Sequence, residues 1–199
     1  MKSKTTLLIL SLFFVLMSTA QSFKQGDKLI KVGLGTSSFF HQISNKDLSP
    51  IYKFSRYRPY TALLNVESEF AVHKFVGIGC SFSVGGKPSG GVGYLSTAYS
   101  PELNIAVGLF SNFHFLQLIT QKLGKENISD KLDIYAGLSI GTGVALFAPF
   151  RDQTFASMFF VGPHVGFRYF FKPNLAINGE AGYGKTITHI GLTFKLNKK

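Results

Sequence analysis

Tryptophan is absent from the chain, cysteine occurs once, at Cys80, and 10 acidic residues face 21 lysines and arginines. A single cysteine excludes an intramolecular disulfide, so no covalent staple holds the fold. Cys80 reads instead as a small apolar residue on a strand. Beyond the N-terminus no stretch reaches the roughly 18 consecutive apolar residues of a transmembrane helix, so a membrane is open to this chain only through strands. Charged residues make up 16% of the chain, below the about one quarter usual in soluble domains. In their place stand 21 Phe, 8 Tyr and 21 Gly.

The N-terminus has the layout of an export signal. Lys2 and Lys4 precede an apolar run from Leu7 to Met17, interrupted only by Ser11, and the small residues Ser18, Thr19 and Ala20 follow. The run is too short to span a bilayer, and cleavage is expected between Ala20 and Gln21. The absence of cysteine at that junction argues against a lipoprotein anchor. This divides the chain into a cleaved signal, residues 1–20, and one domain, residues 21–199. Removing Lys2 and Lys4 from the 21 basic residues leaves 19 against 10 acidic ones, a net charge of +9. The basic residues are dispersed rather than gathered into a groove-sized patch, which favours an anionic membrane surface over nucleic acid.

Period-two alternation governs most of the rest. From Glu102 to Phe115 the odd positions Leu103, Ile105, Val107, Leu109, Phe113 and Phe115 are apolar, and the even ones include Asn104, Ala106, Gly108, Asn112 and His114. Only Phe110 and Ser111 break the phase. Between Lys131 and Leu146 the same alternation runs in opposite parity. Such a pattern places two chemically distinct faces on a strand. Strands are expected at 27–39, 60–72, 75–85, 102–116, 131–146, 158–171, 174–184 and 188–196. Most reach the roughly 9 to 11 residues that a tilted strand needs to cross a bilayer.

Short connections at His73 and Lys74 and at Lys172 and Pro173 contrast with long ones at 40–59, 86–101 and 147–157, which places the turns in the periplasm and the loops outside. The long connection 117–130 and the tight one at 185–187 run against that rule. Aromatics gather at both expected interfaces, with Phe70, Phe113, Phe115, Tyr169 and Phe194 among those at one end and Phe39, Tyr60, Phe159 and Tyr183 among those at the other. Together these features imply an all-β fold, a transmembrane antiparallel up-and-down β-barrel of about eight strands in the cell outer membrane.

The run Lys131-Leu132-Asp133-Ile134-Tyr135-Ala136-Gly137-Leu138-Ser139-Ile140-Gly141 and the segments Gly166 to Leu175 and Gly179 to Gly184 resemble the porin-family outer-membrane β-barrel domain of Gram-negative bacteria. The resemblance covers the chain from Lys131 onward, and the earlier strands follow by pattern. The last strand, His189 to Leu196, is similar to the polar-x-Gly-x-x-apolar-x-apolar signal read by the barrel-assembly machinery, departing from it in ending on Leu196 and trailing Asn197, Lys198 and Lys199. That resemblance implies the assembly machinery as a partner.

The polar face carries Lys31, Glu67, Glu69, Glu102, Asp133, Arg168, Glu180 and Lys195, with His114, His164 and His189. Charges inside a narrow barrel are costly unless paired, and both signs are present, so an interior ion-pair network is expected. An eight-stranded barrel is just wide enough to be filled by its own side chains, which makes a narrow porin the alternative. Glu67 and Glu69 share one face, yet no open cleft accompanies them for catalysis. The five histidines lack ligand spacing, so neither a metal nor a cofactor is expected. Some barrels of this architecture modify lipids, and His41 with Ser37 or Ser38 is the local pair such an enzyme would need. Polar residues at an aqueous rim explain them better, so no catalytic residue is assigned. In the first loop Lys53, Arg56, Tyr57 and Arg58 interleave basic and aromatic side chains, suited to lipopolysaccharide phosphates and sugars or to anionic headgroups in general. The expected state is a monomer in outer-membrane lipid.

Overall fold

The computed structural model describes residues 23–37, 61–87, 102–123, 130–147, 155–183 and 186–196. The export signal, its cleavage point, and the first loop with His41, Lys53, Arg56, Tyr57 and Arg58 lie outside the described residues, as does Ser38.

Eight strands, β1 (Lys28–Ser37), β2 (Thr61–His73), β3 (Val76–Lys87), β4 (Glu102–Phe113), β5 (Leu132–Phe147), β6 (Phe155–Lys172), β7 (Leu175–Gly182) and β8 (Thr188–Leu196), close into a barrel. Each pairs antiparallel with its sequence neighbours, and β1 pairs with β8 to close the cylinder. Closure leaves no strand edge unpaired, the condition for placing a sheet in hydrocarbon. Register shifts occur at Ala71/His73 and Phe170/Lys172, where the two tight turns reverse the chain.

Alternation has become two walls. Around the cylinder the outward positions hold Leu34, Leu64, Phe82, Leu109, Leu138, Val161, Ile177 and Ile190, one from each strand and all exposed. Lys28, the first residue of β1, is exposed at the strand's very end. Buried inward positions carry Lys31, Glu67, Glu69, Asp133, Arg168 and His189. Neighbouring residues of one strand differ sharply: Ala106 is 2% exposed and Val107 50%. A contiguous apolar wall of this extent is a membrane or binding surface rather than a solvated one.

The break in phase at Phe110 and Ser111 is chemical, since the backbone register of β4 against β3 and β5 runs through it unshifted. Phe110 points inward and Ser111 outward. Phe110 fits because its direct cross-strand partner is Gly79, whose absent side chain leaves room for the ring. The arrangement recurs: Tyr135 lies over its partner Gly166, where a Cβ would fall 2.5 Å from the ring, and Phe160 over its partner Gly141. Glycine opposite an aromatic is how a narrow sheet cylinder accepts a large inward ring.

One expectation is corrected. The region 114–122 does not extend β4 or form a loop; it holds a helix, α1 (Phe115–Lys122), packed at the turn end beside β5. Phe115 therefore leaves the aromatic belt. The N-terminal segment folds onto the same end. Gly26 adopts φ +88°, a left-handed conformation suited to glycine, and the Gly26 N–H donates to the Ala71 carbonyl at 2.8 Å. The Asp27 carboxylate accepts from the Lys24 N–H at 2.7 Å, fixing the turn.

Candidate functional site

The lumen is a stack of layers that can be followed along the inward positions of β2: Ala71, Glu69, Glu67, Asn65 and Leu63, from the turn end to the loop end. The first layer is apolar. Phe23, Leu29, Ala71, Phe170 and Ala176 form one buried cluster. Phe23 enters from below β1, stacks on His114 at 3.5 Å between ring centres, and accepts a hydrogen bond from Gln117 Nε2 of α1 at 2.6 Å. The turn end of the lumen is thereby plugged.

Above the plug lies a fully buried ionic layer. Arg168 bonds Glu69 through Nη2 and Asp133 through Nη1, the latter at 3.2 Å. His114, one residue beyond β4, reaches Asp133 Oδ1 at 2.8 Å with Nδ1 and Glu69 Oε1 at 3.2 Å with Nε2. Both partners are carboxylate oxygens, so both ring nitrogens act as donors only in the imidazolium form. Burial disfavours that charge, but Asp133 and Glu69 outweigh it and raise the His114 pKa above the ordinary imidazole value. Asn112 Nδ2 donates to Glu69 at 2.9 Å, and His164 Nε2 meets Asn112 Oδ1 at 2.7 Å.

The next layer centres on Lys31, which pairs with Glu67 and, at 3.2 Å, with Glu180. The Tyr135 hydroxyl donates to Glu180 at 3.1 Å. The Tyr135 ring is flanked by two cations, Arg168 at 4.4 Å and Lys31 at 5.4 Å, while Phe110 stands 4.9 Å from Lys31. Toward the loop end the interior turns neutral, where Ser83 bonds Asn65; beside the ionic layers Asn178, the cross-strand partner of Arg168, bonds Thr193 at 3.2 Å and His189 at 3.3 Å.

Lys31, Glu67, Glu69, Asp133, Arg168, Glu180 and His114 thus meet in two adjoining layers, with His164 joined through Asn112. His189 bonds Asn178 and lies opposite Glu180 across the β7–β8 pair. Lys195 stands apart at the turn end, paired with Asp27 at 2.6 Å. Glu102 heads β4, and its side chain lies outside the described set. Asn112 and Tyr135, which stitch the layers together, were missed by a reading confined to charged residues. Their inward parity was the available signal.

An opening above Glu67 and Glu180, lined by Phe110, Ser139, His164 and Tyr183, has a volume of about 10 Å³, room for about one water. Among the described residues no group of three His, Cys, Asp or Glu side chains is placed to hold a metal.

No family model matches the chain, and no curated protein does. Among solved structures it resembles the outer membrane protein OprG from Pseudomonas aeruginosa, with a TM-score of 0.53 and 13% identity over 89% of this chain and 99% of that one. It also resembles Neisserial surface protein A, with a TM-score of 0.51 and 9% identity over 86% of this chain and 96% of that one. At such identities the likeness carries the fold: the chain is a closed eight-stranded barrel of the kind that spans bacterial outer membranes.

Proposed function

We propose that the protein is an integral outer-membrane barrel of a Gram-negative bacterium with a structural or surface-interaction role, exported by residues 1–20, and neither a porin nor an enzyme. The observation that carries this reading is the sealed lumen. A continuous path would have to cross the Phe23, Leu29 and Phe170 layer and then the Arg168 and Lys31 ion pairs, all fully or almost fully buried. The buried charges pair with one another, as they must in a narrow interior. With its interior occupied, the barrel offers partners its loops and its wall. Lys53, Arg56, Tyr57 and Arg58 of the first loop supply the chemistry for lipopolysaccharide. The outward Phe194 and Leu196 of β8, with Gly191 between them and His189, fit the recognition signal of the assembly machinery.

Conductance tests the reading directly. Purified, refolded protein in planar bilayers is expected to give no reproducible unitary channels, with heat-modifiable gel migration showing that it is folded. Stable channels of one size would replace this proposal with the narrow porin.

A further inference from the structure

The outer wall is not uniformly convex. On β2 to β5, toward the turn end, it holds a groove of about 680 Å³, within the roughly 300–1,000 Å³ typical of small-ligand sites. Its floor is made by small outward residues. Ser68 and Cys80 are direct cross-strand partners, and Ser111, the outward half of the phase break on β4, lies beside Leu138. Its sides are the large residues Phe70, Leu109 and Leu138, the last two 63% and 64% exposed. In hydrocarbon a furrow of this shape is filled by a chain, and its near-continuous apolar lining calls for an acyl tail.

The same four strands end in lysines. Lys74 occupies the β2–β3 turn, Lys122 the last turn of α1, and Lys131 the residue before β5, with Asp130 as the acidic neighbour. Lys74 Nζ donates to Gln121 Oε1 at 3.4 Å, which brings the end of α1, where Lys122 follows Gln121, alongside the turn. Both lysines are exposed. Four residues separate Phe70, at the mouth of the groove, from Lys74, about 13 Å along the strand and less along the bilayer normal once strand tilt is counted. That is the span from an interfacial phosphate down to the upper part of its own acyl chain.

We infer that the β2–β5 face is a seat for one anionic phospholipid of the leaflet at the turn end, its phosphate held by Lys74 and Lys122 and one acyl chain lying in the groove over Ser68, Cys80 and Ser111. The occupant is a lipid rather than a second protein because the groove lies beside a cationic rim, whereas a second barrel would bring a like-charged rim of its own. An anionic headgroup is favoured because the exposed lysines of the rim attract net negative charge at a phosphate surface. This inference rests on the membrane placement proposed above.

Native mass spectrometry of the full-length folded protein, released from nanodiscs of equimolar phosphatidylglycerol and phosphatidylcholine, tests it. Heat-modifiable migration is checked first, so that failure to insert is read as failure of the membrane placement and not of the lipid seat. Ions retaining one phosphatidylglycerol are expected to outnumber those retaining phosphatidylcholine roughly fivefold or more. The Lys74→Gln/Lys122→Gln double variant should bring that ratio to near one. Ser111→Phe, which fills the groove from a position outside the core, should remove retention of both lipids, and Cys80→Leu provides a second filling variant should Ser111→Phe fail to fold. Equal retention of the two lipids by the natural sequence, no retained lipid, or retention unchanged by filling the groove would each overturn the inference.

Discussion

At the turn end of the lumen, charges of both signs interlock around Arg168, Glu69, Asp133 and His114; toward the loop end, the interior is held by the amide of Asn65 and the hydroxyl of Ser83. Both ends line the same narrow cylinder, and both are shielded by the same apolar wall. The difference lies in what a broken contact leaves behind. A lone ion in a dry interior has no water to fall back on, whereas a lone amide loses only its hydrogen bonds. Phe23 and α1 close the lumen directly beside the ionic layers, so the most demanding chemistry lies against the plug.

The largest test of that contrast is Arg168→Met, which strips the guanidinium from Glu69 and Asp133 and leaves only His114 between them. A loss of about 3–5 kcal/mol is expected, as for other buried pairs with one partner removed. The urea concentration at which the heat-modifiable band disappears measures it. Toward the loop end, Asn65→Leu removes the bond to Ser83 and should cost about 1–3 kcal/mol in the same assay. Equal costs at the two sites would erase the distinction between the layers.

The smallest effect concerns His114. Its pKa is raised in the folded protein, so its stabilisation is fully present below the unfolded value of about 6.5 and is lost as pH rises through the folded value. The urea midpoint should therefore fall as the pH is raised from about 6 through neutrality and beyond. His114→Gln should flatten that slope while leaving the protein folded. A midpoint that rises with pH would mean that His114 is neutral in the ionic layer.

Strand number and wall polarity were legible in the sequence because a cylinder immersed in lipid imposes one rule on every residue. The expected limits of the eighth strand, 188–196, match β8, and no expected strand is missing. Helix α1 was not legible. Its apolar positions Phe115, Leu116, Leu118 and Ile119 continue the strand's run of Phe113, and its N-cap, His114, makes no side-chain capping bond because the imidazole is committed to Asp133 and Glu69. The usual Ser, Thr, Asp or Asn start signal is therefore absent. Inward parity could likewise identify which charges enter the lumen but not which ones meet. Lys31 opposite Glu67 and Asp133 opposite Arg168 follow from strand register, whereas Arg168 meeting Glu69 depends on the stagger around the whole barrel.

That last contact has a consequence for biogenesis. Arg168 on β6 reaches Glu69 on β2, and Lys31 on β1 reaches Glu180 on β7, unions that no pair of consecutive hairpins can supply. A half-finished ribbon entering the bilayer would carry Glu69 without Arg168 and Glu180 without Lys31. Ring closure brings those cations in, so the ions that quiet the finished interior penalise its partial versions.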